Sequence, residues 1–262
     1  MARCSRSPER CDSTAAATVL SLRSVSRAFG AVAVAEDISF DVAVGDAVGI
    51  IGPNGAGKTS LFNLISGDLA PGSGLILMSG CDVTALGARR RSRLGVARTY
   101  QVPLPFVGLS VFENVLVGAV FAARDQQAAP PEARALDVLK RTGLLRLADM
   151  QAGALTLLDR KRLELARALA TQPELLLLDE IAGGLTEAEC LELVELIKAI
   201  HLGGTTVIWI EHIVHALLSV VQRLIVLDRG RIVAQGEPHG VMRSSQVREI
   251  YLGMEPDTDV LQ

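Results

Sequence analysis

AVGIIGPNGAGKTS, Ala47 to Ser60, decides the fold. An apolar run, Ala47–Ile51, stops at Gly52. Gly57, Lys58 and Thr59 then complete the pattern G-x-x-x-x-G-K-[ST], and a helical run, LFNLIS, follows. Strand, glycine-rich loop and helix in that order build a phosphate cradle. The glycines let the backbone curl so that successive N–H groups converge on phosphate oxygens. The helix opening near Lys58 turns its positive dipole end to the same point. On this reading Gly52, Pro53, Asn54, Gly55, Ala56, Gly57 and Ser60 wrap the phosphates of a nucleotide. Lys58 bridges the β- and γ-phosphates, and the Thr59 hydroxyl ligates Mg²⁺.

Such a loop needs a carboxylate to hold the metal, normally at the end of a neighbouring buried strand. ELLLLDE, Glu174 to Glu180, supplies it. Asp179 is placed to hold Mg²⁺ through water, and Glu180, one residue further out, to orient and deprotonate the attacking water. Leu175–Leu178 and Thr206–Ile210 show no polar alternation, as expected of parallel strands buried on both faces. Further strands read at Thr18–Leu22, Ile38–Val42 and Leu75–Met78. Helical periodicity marks Val111–Ala123, Glu132–Leu145, Thr156–Ala170 and Thr186–His201. In the last of these Leu191, Val194, Ile197 and Ile200 share a face, and Thr186 with Glu189 fits a capping box. Strands alternating with helices predict an α/β fold. Prolines near Val102–Pro105 and Ala128–Pro131 bracket a helical segment, about residues 102–172, read as a subdomain inserted in that core.

Composition narrows the class. Of the 262 residues, 49% are apolar but only 3% aromatic (six Phe, two Tyr, one Trp), and the mean hydropathy of +0.35 is high. A spanning helix needs about 20 apolar residues in a row. The longest charge-free run, Thr99 to Phe112, holds two prolines, and Val207 to Leu227 is interrupted by Glu211 and Arg223, so no bilayer span is expected. A net charge of −3 argues against a nucleic-acid partner, which would call for a basic face. Cys4, Cys11, Cys81 and Cys190 form no metal-ligand spacing and read as reduced thiols. The first eighteen residues, MARCSRSPERCDSTAAAT, lack an apolar segment and read as a disordered extension rather than a secretory signal. Arg89, Arg90, Arg91 and Arg93 read as a solvated helix face.

The order of these motifs resembles the ATP-binding subunit of ABC transporters from Val19 to Gly253. The resemblance implies a P-loop NTPase core with an N-terminal antiparallel β subdomain and an inserted helical subdomain, domain limits of 19–253, and a short tail at 254–262. It implies ATP and Mg²⁺ as cofactors. ARTYQ places Gln101 at the family's Q-loop glutamine, which touches the metal near the membrane-subunit contact. WIEHIV places His212 at the histidine that contacts the γ-phosphate. Phe29, in VSRAFG, matches the aromatic that stacks on adenine. The phrases VARTYQ, LSVFENVLVGA, RKRLELARALAT and a closing YLG resemble most the importers of branched-chain amino acids and of related amides such as urea. The partners so implied are polytopic permeases, a second ATPase subunit (identical or, more in keeping with the family, different), and indirectly a solute-binding protein. The place implied is the cytoplasmic face of the plasma membrane. Val102–Phe112 is then either the wall of a groove for the permease or internal packing.

Three positions depart from the family pattern. The signature segment, usually LSGGQ or LSYGQ, is Leu155-Thr156-Leu157-Leu158-Asp159. Thr156 keeps a hydroxyl for the γ-phosphate of a partner's site and fits an N-cap with Asp159 at N3. Leucines in place of two glycines hinder approach of a phosphate, and Asp159 puts a negative charge beside it. This is either a tolerated variant or one weak half of an asymmetric dimer. Ile181 stands where Pro is usual, and Thr186 where Asp or Asn is. The alternatives are a soluble ABC ATPase without a transporter, which would bring duplicated cassettes or long insertions, and a nucleotide-binding module with weak hydrolysis. A P-loop kinase or GTPase gives no reason for Gln101 and His212 in this order.

Overall fold

A computed structural model describes residues 17–121 and 129–252. Two sheets share one helix between them. The first is antiparallel, in the order β2-β1-β4-β5, built from β1 (Thr18–Phe29), β2 (Val32–Ala43), β4 (Ser73–Met78) and β5 (Cys81–Asp82). The second, in the order β10-β9-β3-β8-β7-β6, carries β3 (Ala47–Ile51), β6 (Val96–Arg98), β7 (Leu175–Asp179), β8 (Thr206–Ile210), β9 (Arg223–Asp228) and β10 (Arg231–Gly236). Strands β9, β3, β8, β7 and β6 pair in parallel; only β10 runs antiparallel at its edge.

The absence of polar alternation in the central strands has a direct cause. Along β3, β7, β8 and β9 successive side chains enter opposite cores. Val48, Ile50, Leu175, Leu177, Ile208 and Ile210 face the antiparallel sheet and α1 (Lys58–Ser66). Ala47, Ile51, Leu176, Leu178, Val207 and Trp209 face a helical layer. That layer is formed by α3 (Val111–Phe121), α4 (Pro131–Arg141), α5 (Leu157–Ala170) and α6 (Glu187–Leu202). A strand covered on both faces has no solvated side to mark with polar residues. The low aromatic content follows as well, since the layers are filled by Val, Leu and Ile, with Trp209 and Phe62 fully buried.

Several boundaries differ from the expected ones. The strand expected at Thr18–Leu22 runs on to Phe29, and Ile38–Val42 is the end of a strand that begins at Val32; together they form a long hairpin with shifted register. Strand β1 takes in Thr18, which was placed in the extension, while residues 1–16 and the tail at 254–262 lie outside the described residues. So does the expected end of α3 at Ala123. Helix α4 stops at Arg141 rather than Leu145 because Gly143 turns left-handed (φ 73). The Gly143 N–H then bonds Lys140 O at 3.2 Å, and the Leu144 N–H bonds Leu139 O at 2.8 Å. These are the paired closing bonds of a glycine-terminated helix. The capping box of α6 is formed as expected. Strands β5, β6, β9 and β10 were not foreseen. β6 is three residues long, too short for a period, and β9 was weighed only as part of an apolar run.

The arginine cluster needs correction. α2 (Ala88–Arg93) does expose Arg89, Arg90 and Arg93, but Arg91 is wholly buried. Its guanidinium donates to the carbonyls of Leu64 (2.6 Å), Ile65 (3.0 Å), Leu86 (2.8 Å) and Thr84 (3.2 Å). It ties the end of α1 to the loop before α2, which a cluster read by charge alone does not reveal.

Candidate nucleotide-hydrolysing site

The C-terminal ends of β3, β6, β7 and β8 lie side by side, and each is followed by a motif residue. In parallel α/β sheets this edge is where ligands are held. After β3 the chain turns through Gly52, Gly55 and Gly57, with φ of 156, 81 and 100. Gly57 is forced on two counts: its φ is left-handed, and a Cβ there would lie 2.4 Å from Val34 O. Helix α1 starts at Lys58 with no side-chain cap and no acid in its first turn. Its first N–H groups therefore have no side-chain acceptor from the protein, as an anion site requires. Lys58 is buried and folds back on the loop, donating to Gly52 O at 2.7 Å and Pro53 O at 3.1 Å. Burial pushes its ammonium below the usual lysine range, opposed by the charges of Glu180 and Asp179. Asn54, Gly55 and Thr59 are exposed around it, Pro53 and Ser60 partly so, and Ala56 is packed inward.

Substitution of Gly57 tests the loop. Gly57→Ala is expected to lower stability by roughly 2 kcal/mol from backbone strain, with more from the clash. Gly55→Ala, which meets open space, is expected to cost only the strain. Urea unfolding of the two variants separates these effects.

Glu180 is the centre of a hydrogen-bonded group at this edge. Gln101 Nε2 donates to its Oε2 at 2.6 Å, and His212 Nε2 lies 2.7 Å from its Oε1. Its backbone is left-handed, φ 46, rare for a residue with a side chain. The turn is held by the Glu180 N–H to Ile210 O at 2.9 Å and by the Gly183 N–H to Glu180 O at 3.3 Å. Asp179, one residue back, is buried, with its Oδ2 2.7 Å from Arg98. The exposed Gln101 is steadied through its carbonyl by Lys161 Nζ at 2.6 Å, so α5 reaches directly into the site. Burial lowers the Lys161 pKa as well.

Glu211, just before His212, is a buried acid, marked in the sequence only as a charge that interrupts an apolar run. It accepts from Ala182 N at 2.8 Å and His212 N at 3.1 Å. Burial pushes its carboxyl above the usual range despite these donors. It clamps the chain after β7 to the chain after β8, and so fixes the spacing of Glu180 and His212. An acid directly following five buried residues was the available signal. Arg98 and Lys161 stood inside quoted motifs without being singled out.

The oxygen donors fit Mg²⁺: the Asp179 carboxylate, the Thr59 hydroxyl, and the Oε1 of Gln101, whose Nε2 is already committed. All are hard ligands. The described residues hold no cluster of three or more His, Cys, Asp or Glu suited to a metal; Mg²⁺ ordinarily takes few protein ligands, with substrate phosphates completing its shell.

Two expected nucleotide contacts lie apart from this group. Phe29, 51% exposed, carries the Arg27 guanidinium 4.9 Å over its ring. It closes the β1–β2 hairpin, whose Val34 reaches the loop at Gly57, and it is not core. Thr156 caps α5: its hydroxyl accepts from Asp159 N at 3.2 Å and donates to Asp159 Oδ2 at 3.0 Å. The two signature leucines do not behave alike. Leu158 turns into the core (7% exposed) and Leu157 outward (43%), so of the two only Leu157 is presented to solvent. Thr186 likewise spends its hydroxyl on Glu189, 2.7 Å away, and Ile181 is core.

Fold and site together define a phosphate-loop nucleotide hydrolase. The family model for ABC transporters matches residues 35–183. The LivG ATP-binding protein for high-affinity branched-chain amino acid transport, from Escherichia coli K12, is 34% identical across 90% of this chain and 98% of its own length. The LptB ATP-binding protein of the lipopolysaccharide export system, from Acidithiobacillus ferridurans, is 33% identical across 90% and 97%. Among solved structures, an ATP-binding cassette of an ABC transporter in its ADP conformation superposes with a TM-score of 0.81 at 29% identity, covering 90% of this chain and 99% of that one. The chain belongs to the ATP-binding subunits of the ABC transporter family and is an ATPase of that family.

Proposed function

We propose that this ATPase powers an importer of branched-chain amino acids or related amides through separate membrane subunits. The observation that carries the catalytic reading is Glu180, held between Gln101 and His212 at 2.6 and 2.7 Å. Both bonds aim the carboxylate, so one oxygen meets the attacking water in a set direction. The water attacks the γ-phosphorus in line and gives its proton to Glu180, while the bond from the γ-phosphorus to the bridging oxygen breaks and ADP leaves. Lys58 and His212 bind the γ-phosphate oxygens, Gly52–Ser60 cradle the phosphates, and Phe29 stacks on adenine. Thr59, Asp179 and Gln101 hold Mg²⁺, which when bound neutralises charge on the β- and γ-phosphates. The ATPase domain is taken as 19–253, with the helical subdomain at about 102–172.

Docking to a permease is supported by an apolar surface. Val102, Leu104, Phe106 and Val107 are exposed, whereas Val111 is buried, so the stretch Val102–Phe112 divides between groove wall and packing. Next to it lies a cleft of about 280 Å³ whose lining includes Asp68, Arg98, Tyr100, Phe121, Glu164 and Arg167. No helix among the described residues is long and apolar enough to cross a membrane; we place the protein at the cytoplasmic face of the plasma membrane through this contact. Reconstitution with its permeases in vesicles tests the whole reading. ATP-dependent uptake of leucine or an amide supports it, and export of a lipid-linked glycan would favour the other kind of relative.

A second ATPase subunit is favoured by the signature side. Thr156 spends its hydroxyl on Asp159, whose other oxygen lies 3.4 Å from Arg162, and on this reading the exposed Leu157 and the acid Asp159 would meet a partner's phosphate. In an asymmetric pair this chain brings a complete phosphate loop and a weak signature. Leu157→Gly with Asp159→Gln, which spares the buried Leu158, is expected to raise turnover of the pair by about three- to tenfold, the worth of roughly 1 kcal/mol of relieved repulsion. An unchanged rate disposes of the asymmetry.

A further inference from the structure

We propose that Arg98 is a positioning residue that holds Asp179 in its metal-facing orientation. This rests on the reading of Asp179 as the carboxylate that holds Mg²⁺ through water. Arg98 ends β6, beside β7, and its side chain is 6% exposed, as is that of Asp179. One terminal nitrogen donates to Asp179 Oδ2 at 2.7 Å; the other donates to Asn63 Oδ1 at 2.6 Å and lies 3.6 Å from Asp68. The guanidinium is packed between the rings of Phe62, 5.6 Å away, and Tyr100, 5.0 Å away. Its Nε is buried without a partner, so its hydrogen bonding is spent through the two ends of the fork.

The consequence lies on the Asp179 side. A planar fork anchored on α1 through Asn63 fixes the carboxylate plane far better than a single point charge does. With Oδ2 held, Oδ1 makes no hydrogen bond among the described residues. The nearby cation Lys58, whose charge already interacts with Asp179, offers a competing partner. Without Arg98 the Asp179 carboxylate is free to turn from its metal-facing orientation, and the metal loses a holder. Partners behind a metal ligand are typically worth 10–100-fold in metal affinity.

The test is a Mg²⁺ titration of fluorescent-ATP binding by the full chain, with ATP hydrolysis followed in parallel. Arg98→Met is expected to raise the half-saturating Mg²⁺ concentration by about tenfold or more, with nucleotide binding in EDTA within about twofold of wild type. Arg98→Lys, which keeps a charge but not the fork, is expected to fall between the two. Arg98→Met with an unmoved Mg²⁺ requirement overturns the proposal. Asp179→Asn separates the underlying reading: if it too is unmoved, the metal assignment fails and takes the proposal with it, whereas a shift in Asp179→Asn alone sinks only the role of Arg98. Should Arg98→Met not fold, Asn63→Ala removes the anchor without touching Asp179. A smaller shift in the same direction is then expected, and no shift overturns the proposal.

Discussion

Glu180→Gln is expected to reduce ATP hydrolysis by about 10²–10⁴-fold while leaving ATP binding close to that of the unaltered protein, because a positioned base typically supplies that range. The substitution keeps the shape of the side chain and removes its ability to take a proton. An amide also cannot accept at both ends. One of the present donors, Gln101 Nε2 or His212 Nε2, must then face an N–H₂ group, so the aim of the side chain is loosened as well. Lys58 and the cradle are untouched, and the phosphate contacts persist. Folding stability should change little, since the left-handed turn at Glu180 is held by its backbone bonds to Ile210 and Gly183 rather than by its charge. Steady-state hydrolysis and equilibrium binding, measured on the same preparation, separate the two effects. A turnover within about threefold of wild type, less than 1 kcal/mol of barrier, would remove Glu180 from the role of base.

The residues of this site were largely visible in the sequence because the backbone there is under constraint. A loop that turns its N–H groups inward needs glycine at left-handed positions, and Gly55 and Gly57 are such positions. A strand buried on both faces must stop when it reaches solvent, and the acids that end β7 mark that stop. What stayed hidden were the supports. Arg91 and Arg98 look like any surface arginine in one dimension; each becomes structural only when chain 5–81 residues away supplies its acceptors. Glu211 is similar, since the two N–H groups it serves lie on separate strand ends. The signature leucines were read as one obstacle, and only the helix phase of α5 shows that Leu158 points inward. Short elements escaped for a simpler reason: three residues, as in β6, cannot display a period of two.

Of these hidden supports Arg91 carries the largest stability effect. Arg91→Met is expected to lower unfolding free energy by about 3 kcal/mol or more, the range for removing one member of a buried polar network. Helix α1 ends at Ser66, and its last carbonyls have no partners within the helix. Asn63 O is served by the Gly67 and Leu69 N–H groups, at 3.1 and 2.9 Å, and Leu64 O and Ile65 O by Arg91. Methionine fills much of the space and donates nothing, so these carbonyls and those of Thr84 and Leu86 lose the donor together. The desolvation of the guanidinium, which pushes its pKa down against the opposing charges of Asp68 and Asp82, is recovered and offsets part of the loss. Arg91→Lys keeps the charge but cannot reach four acceptors from one nitrogen, and it should recover only a fraction. Arg90→Ala, on the exposed face of the same helix, should stay within about 0.5 kcal/mol of wild type. The effect also reaches function. The opposite end of α1 carries Lys58 and Thr59, so a helix released at Ser66 presents its N-terminus less firmly, and ATP affinity is expected to fall alongside stability. Urea unfolding with and without ATP reads both at once. A loss below about 1 kcal/mol in Arg91→Met, no more than an ordinary net hydrogen bond, would mean that water replaces the arginine at the helix end and that the bridge has no special weight.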